Sequence, residues 1–283
     1  MDPDRGGLLG AADVRRLAAD LGVVPTKSLG QNFVHDANTV RRIVRIAGVE
    51  AGDAVLEVGP GLGSLTLGLL EAGAAVTAVE IDPRLAGALP ATAAERLPDA
   101  ADRLEVVPGD AIRVPVPGAP LRVVANLPYN VAVPILLRLL ADVPSLASGV
   151  VMVQAEVGER LAAAPGSKVY GSPSVKAAWY GAATLAGTVP RGVFWPVPNV
   201  DSVLVRFERG AARGDEALRL AVFRLVDAAF VQRRKTLRQS LAPVLGGASS
   251  AAEVLERAGV DPALRGERLD VERFTAIARA IEG

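Results

Sequence analysis

The chain has 283 residues, half of them hydrophobic and only 4% aromatic, enough to bury an aliphatic core as one large domain or a domain with a small companion. Lysine plus arginine and aspartate plus glutamate both number 31, so the net charge is zero, which argues against general polyanion binding but leaves room for a local patch. With no cysteine and a single histidine, His35, the sequence excludes disulfides, thiol nucleophiles and Cys-ligated zinc, and disfavours His clusters and imidazole triads. No metal cofactor is therefore expected. No run of about 18 apolar residues marks a membrane span. The start "MDPDRGGLLGAADVRR" lacks the basic-then-apolar layout of a signal peptide, so a cytoplasmic location is expected.

Early in the chain, His35 precedes a helical stretch with Val40, Ile43, Val44 and Ala47 on its apolar side and Arg41, Arg42 and Arg45 opposite. His35 reads as a capping or surface residue, and the arginines as a solvated face or a phosphate contact. "AVLEV" (54–58) is a strand ending in glycines, and "SLTLGLLEAG" a helix closed by Gly73. "AVTAVEID" is the next strand, and "PRLAGALPATAAERL" the next helix, with Pro83 in its first turn. "LEVVPGD", "LRVVANLPY" and "GVVMVQAEV" continue the alternation. Strand–helix alternation at this spacing predicts an α/β fold, a doubly wound, mostly parallel Rossmann-like sheet. "SVKAAWYGAATLAGTV" and "SVLVRFER" read as strands with no long helix between them, an antiparallel closing pair. Trp179 and Trp195 read as packing residues.

"RGAARGD" (209–215) is a polar break, which sets the expected domains at 1–209 and 210–283. Beyond it the chain reads as helical. "EALRLAVFRLVDAAFVQRRKTLRQSLAPVL" comes first. Ser250 and Glu253 then form a capping box, Asp261-Pro262 starts a helix, and Asp270 opens a last one with Val271, Phe274, Ile277, Ala278 and Ile281 on one face. Residues 206–238 hold nine Lys/Arg and four Asp/Glu, a net of +5. Arg233, Arg234, Lys235 and Arg238, read on a helix, are the candidate contacts to a nucleic-acid backbone, with ordinary helix solvation as the alternative.

Two motifs carry chemistry. In "LEVGPGLGS", Glu57 leads Gly59, Gly61 and Gly63 between a strand and a helix, where glycines allow a tight turn and close approach of a ligand. The spacing is not that of a dinucleotide fingerprint. Glu80 ends the next strand, where an acid can accept both ribose hydroxyls of an adenosine, a contact of roughly 1.5–3 kcal/mol. Asp110 ends the third strand, near where an adenine amino group would lie. Together these resemble the S-adenosylmethionine (SAM) site of class I methyltransferases. The second motif is "NLPY", at the end of the fourth strand. An adenine amine is a poor nucleophile, because its lone pair is delocalised. The Asn126 side-chain oxygen and the Leu127 carbonyl could accept its N–H groups, Pro128 would fix their direction, and Tyr129 would stack on the base. No strong base is needed.

On "KSLGQNFVHD", "EVGPGLGSLT", "VEID", "GD", "NLPYN", "VMVQAEVGERLAA", "FWPVPNVDS" and "AFVQRRKTLRQSL", in that order, the chain resembles the ribosomal RNA adenine dimethyltransferases. "AGVDPALRGERL" is similar to the KsgA/RsmA side of that family rather than to its resistance-type relatives. The resemblance implies SAM binding at Asn32, Val34, Gly59, Gly61, Glu80, Asp110 and Asn126. It implies target-base contacts from Asn126, Leu127, Pro128, Tyr129 and Phe194. The implied reaction places two methyl groups on N6 of each of two adjacent adenosines in a hairpin near the 3′ end of 16S rRNA. The implied partner is the immature small ribosomal subunit, with no membrane partner, and the enzyme is expected to be a monomer. Three positions depart from the usual pattern: Val34 in place of Leu, Val133 in place of Thr, and Asn199 in place of a basic residue. The alternatives are a resistance-type enzyme acting on large-subunit rRNA, an NAD-dependent oxidoreductase, and a non-catalytic assembly factor.

Overall fold

Near-continuous apolar runs, rather than alternating ones, mark strands buried on both faces, and "RVVA" and "GVVMV" become such strands. The computed structural model describes residues 7–25 and 31–281. It divides the chain into two units, one of residues 1–158 and 184–209, the other of 159–183 and 210–283. Residues 159–183 thus group with the helical tail. No helix among the described residues is long and apolar enough to cross a membrane.

The strands are β1 (Phe33–Val34), β2 (Ala54–Val58), β3 (Ala75–Glu80), β4 (Leu104–Pro108), β5 (Arg122–Asn126), β6 (Ser148–Gln154), β7 (Gly181–Val189), β8 (Phe194–Trp195) and β9 (Ser202–Arg209). Seven of them form one sheet in the order β4-β3-β2-β5-β6-β9-β7. The pairs from β4 through β6 are parallel, and β9 runs antiparallel to β6, as the closing strand was expected to do. β1 and β8 make a separate antiparallel pair, with Val34 opposite Phe194. Val123, Val124, Ala125 and Val150 to Val153 are all at most 1% exposed, so the middle of the sheet is core on both faces. Strand order reverses between β2 and β5, the switch point where open α/β sheets take ligands at their carboxyl edge.

The helices of the first unit are α1 (Ala11–Asp20), α2 (Ala37–Ala47), α3 (Ser64–Glu71), α4 (Pro83–Arg96) and α5 (Ala132–Asp142), and α6 (Ala155–Leu161) begins directly after β6. Helix α2 starts on Asp36, whose side chain accepts from the Thr39 amide at 2.6 Å, and it ends on left-handed Gly48. Its stripe of Val40, Ile43, Val44 and Ala47 is buried, as its spacing predicts. Two of its three arginines serve the fold: Arg41 clamps Glu71 through two bonds of 2.9 Å, and Arg42 donates to the Thr188 carbonyl at 2.8 Å. His35 does not cap this helix. Its amide donates to the Val193 carbonyl at 2.9 Å, beside the β1–β8 pair.

The second unit holds α7 (Ser172–Tyr180), α8 (Glu216–Val231), α9 (Leu237–Ser240), α10 (Ala248–Arg257) and α11 (Val271–Arg279). Helix α7 corrects the reading of "SVKAAWYGAATLAGTV" as one strand: its first seven residues, 174–180, are helical, and β7 starts at Gly181. Trp179 and Tyr180 pack edge-on against Phe223 of α8, and Lys176 pairs with Asp227 at 2.6 Å, which explains why 159–183 joins this unit. Helix α11 starts as expected, the Asp270 side chain accepting from the Arg273 amide at 2.9 Å, but Ile281 lies beyond its end and is exposed.

Three further readings of the tail are corrected. Helix α8 stops at Val231, so "QRRK" is a turn. Helix α10 starts at Ala248 behind Gly247, which puts Ser250 and Glu253 inside the helix rather than at a capping box. Asp261-Pro262 forms a turn, not a helix start. Its Asp261 carboxylate accepts from the Ala263 amide, and the Pro262 and Leu264 carbonyls are taken by amides of α9.

Candidate active site

The loop after β2 is built on left-handed glycines, Gly59 at φ 68° and Gly61 at φ 59°. A Cβ at Gly61 would sit 2.8 Å from the Phe33 ring, and one at Gly59 would sit 3.7 Å from the Asn126 carbonyl oxygen. At Gly61 the loop is thus pressed against β1 closer than a side chain allows, whereas at Gly59 it has ordinary contact with the end of β5. At the end of β3, each oxygen of the Glu80 carboxylate is held by a backbone amide, Oε2 by Gly61 at 3.0 Å and Oε1 by Asp82 at 2.9 Å. Burial pushes Glu80 above the usual carboxylate range, and those amide bonds oppose the shift. After β4, Asp110 turns its Oδ1 onto the Ile112 amide at 2.9 Å.

At the end of β5, the Asn126 side-chain amide nitrogen donates to the Asn32 carbonyl at 3.0 Å. That bond fixes which way the amide lies and leaves Oδ1 as the outward acceptor. Four strand ends therefore converge: Gly59, Gly61, Glu80, Asp110 and Asn126 line one cavity at the switch point. Asn32 and Val34 join it from the segment ahead of α2. The segment "KSLG" at the start of the N-terminal motif lies outside the described residues.

Two further polar residues, with no role expected of them, border the same cavity. Ser64 donates to the Val34 carbonyl at 2.5 Å, tying α3 to β1. Glu57 is fully buried, accepts from the Thr66 hydroxyl at 2.6 Å, and is pushed up to about 8 by burial, with a further push from nearby Glu80. Its signal was present, an acid leading a glycine run, but sequence alone does not say how dry such an acid is.

A pH dependence follows. The unfolded chain releases the Glu57 proton near 4.5 and the folded one near 8, so the folded state holds the extra proton between those values. Stability contributed by this group is full below about 4.5 and is lost as pH rises through about 8. Urea unfolding of the native chain should show a declining midpoint from pH 5 to 8.5. Glu57→Gln should flatten that decline, leaving the same-sign contribution of Glu80. An unchanged slope in the variant would refute the assignment.

The NLPY residues sit astride two cavities. Asn126 and Pro128 line the first; Tyr129 and Asn130 line a second, which shares Gln31 and Asn32 with it. Leu127 turns its side chain into the core at 1% exposure, with its amide on the Met152 carbonyl at 3.1 Å. Tyr129 is half-buried, its hydroxyl 2.7 Å from Ser202 Oγ. Burial pushes its phenol above the ordinary range.

Phe194 is not brought to either cavity. At 1% exposure it belongs to the core beneath β1 and β8, because in a two-residue strand alternate side chains point to opposite faces. The β8 residue on the other face, Trp195, stacks on Phe33 with ring centres 6.4 Å apart and planes inclined at 23°. Of the basic residues, Arg233, Arg234 and Lys235 occupy the turn after α8 and Arg238 lies on α9, all exposed. Arg233 is engaged within its own unit, by Glu267 at 3.0 Å and the Lys168 carbonyl at 2.7 Å.

The chain matches the family described as "Ribosomal RNA adenine dimethylase" over residues 25–282. It is 68% identical to "Ribosomal RNA small subunit methyltransferase A" of Leifsonia xyli subsp. xyli (strain CTCB07), across 96% of this chain and 98% of that protein. Among solved structures it is similar to a dimethyladenosine transferase from Plasmodium falciparum, 26% identical with a TM-score of 0.73, covering 87% of this chain and 95% of that one. It is also similar to the 23S rRNA methyltransferase ErmE, 25% identical with a TM-score of 0.66, covering 89% of this chain and 100% of that one. With a Rossmann-like sheet, a cavity at its switch point and NLPY at the cavity's edge, the chain belongs to the ribosomal RNA adenine dimethylase family.

Proposed function

We propose that the protein dimethylates N6 of two adjacent adenosines in the 3′-terminal hairpin of 16S rRNA, using SAM, within the immature small ribosomal subunit. It does so as a cytoplasmic monomer. The observation that carries this is Asn126, an acceptor locked by the Asn32 carbonyl where the two cavities meet. The family and the 68% identical small-subunit methyltransferase support the same reading.

The residues of the first cavity fit SAM. Each Glu80 oxygen already bonded to an amide keeps a further lone pair, enough to accept a ribose diol. Asp110 Oδ2, 3.6 Å from the exposed Arg113 side chain, can still accept from an adenine amine, and the glycine loop leaves room for close backbone approach. When bound, SAM supplies an electrophilic methyl group. The chain's own part is positioning. Asn126 Oδ1 and the Leu127 carbonyl accept the N–H groups of the target amine and draw its lone pair out of conjugation. Tyr129, anchored at Ser202, offers its ring to the base, and such stacking is worth about 1–3 kcal/mol. The proton leaves to water after transfer, in keeping with a cavity lined by no histidine.

Arg234, Lys235 and Arg238 contact the RNA backbone in this reading, whereas Arg233 serves the fold of its own unit. Replacing Arg234, Lys235 and Arg238 together by alanine should weaken binding to the particle and lower the slope of log affinity against log salt by about two to three. An unchanged slope in filter-binding titrations would remove these residues from the interface.

The test of function is incubation of the protein with labelled SAM and small-subunit particles lacking the modification. Label on adenosine N6 in 16S rRNA is expected; none at any salt concentration refutes the proposal. The similarity to ErmE gives large-subunit rRNA as the second substrate to try, and label there alone would favour that reading.

A further inference from the structure

The second cavity contains an amide that nothing so far uses. Its walls are the Tyr129 ring, prolines Pro196 and Pro198, and the carboxamides of Asn130, Gln154 and Asn199, among others. No charged side chain lines it among the described residues. Such a lining suits a flat, hydrogen-bonding ligand such as a nucleobase.

Gln154 is the best placed of these amides. It is the last residue of β6, with α6 starting at the next residue and the Ala155 amide held by the Asp201 carbonyl at 2.8 Å. Across the antiparallel β6–β9 ladder its partner is Ser202, which is fully buried. Ser202 is also the residue that holds the Tyr129 hydroxyl. One rung of the sheet therefore sets the origin of the Gln154 side chain and the position of the Tyr129 ring. Gln154 itself is half-buried, and its side chain makes no hydrogen bond among the described residues. Its amide keeps two donors and an acceptor uncommitted to protein groups and reachable from the cavity, where a ligand can take them in place of water.

We infer that Gln154 is a specificity-determining residue, whose side-chain N–H donates to a ring nitrogen of the target adenine beside its amine, N1 or N7. This rests on the adenine N6 reaction proposed above. A contact to the ring rather than to N6 is the one that survives the chemistry, because methylation removes the N6 hydrogens one by one and leaves N1 and N7 as acceptors. Gln154 would therefore serve the first and second transfers equally. At N1 it would also reject guanine, which carries a hydrogen there.

The test uses small-subunit particles reconstituted with rRNA carrying adenosine, 1-deazaadenosine or 7-deazaadenosine at the target position. Gln154→Leu should lower kcat/KM on adenosine about tenfold, for both methyl transfers alike, with SAM affinity by calorimetry and circular dichroism unchanged. The native enzyme should lose about as much on one of the two deaza substrates, and Gln154→Leu should lose nothing more on that substrate. Gln154→Asn, which keeps the amide on a shorter stem, serves as the second variant if the leucine form does not fold, and the same coupling is expected of it. Activity of the variants within about twofold of native on adenosine overturns the inference, as do deaza penalties that persist in full in the variants. If the native enzyme does not methylate the unmodified particle at all, the proposed function fails instead.

Discussion

Asn126→Ala should lower the rate of methyl transfer by about 100- to 1000-fold, the usual cost of deleting one preorganised group that acts on the reacting centre. Folding and SAM binding should change little. The variant loses one hydrogen bond, from Asn126 Nδ2 to the Asn32 carbonyl, a net cost of about 1 kcal/mol. Neither Glu80 nor the glycine loop depends on that bond. Single-turnover transfer with labelled SAM, read beside thermal melts and calorimetric SAM affinity, separates these outcomes. A loss below about tenfold would mean that the Leu127 carbonyl alone suffices to activate the amine. A collapse of SAM affinity would mean that Asn126 belongs mainly to the donor site.

The second large effect is on the donor. Glu80→Ala should weaken SAM binding by about 10- to 100-fold, because hydrogen bonds to an ionised group contribute about 1.5–3 kcal/mol. It should also lower the melting temperature, since the Gly61 and Asp82 amides lose their shared acceptor in a buried place. Glu80→Gln keeps the volume and one acceptor, so it should sit between the two. Calorimetric titration with SAM and with NAD reads the result. SAM affinity unaffected by either substitution would remove Glu80 from the site, and tight binding of NAD by the native protein would reopen the oxidoreductase reading.

Most of the sheet was legible because its strands are written as apolar runs between glycines and helix caps. The donor cavity was legible for the same reason: Gly59, Glu80, Asp110 and Asn126 all fall at carboxyl ends of those strands, and topology alone brings them together. The failures have specific causes. "SVKAAWYGAATLAGTV" has no strong period, and the packing of Trp179 and Tyr180 on Phe223 decides that its first half is helix. "QRRK" has good helix formers, but Arg233 reaches Glu267 and the Lys168 carbonyl, and α8 ends before it. Phe194 and Trp195 are adjacent aromatics in a two-residue strand, and which of them faces the core is set by pairing with β1. No role for Gln154 was legible, because nothing in the chain announces that its rung partner Ser202 anchors Tyr129.

The bond between Asn126 and the Asn32 carbonyl joins residues 94 positions apart, whereas that between Gly61 and Glu80 spans 19. The contact between the glycine loop and Glu80 is thus local, whereas Asn32 and Val34, which line the same cavity, come from the N-terminal segment. That segment also holds the Asn126 amide. One displaced stretch would therefore disturb the lining of the donor cavity and the alignment of the acceptor at once, so that donor and acceptor stand or fall together.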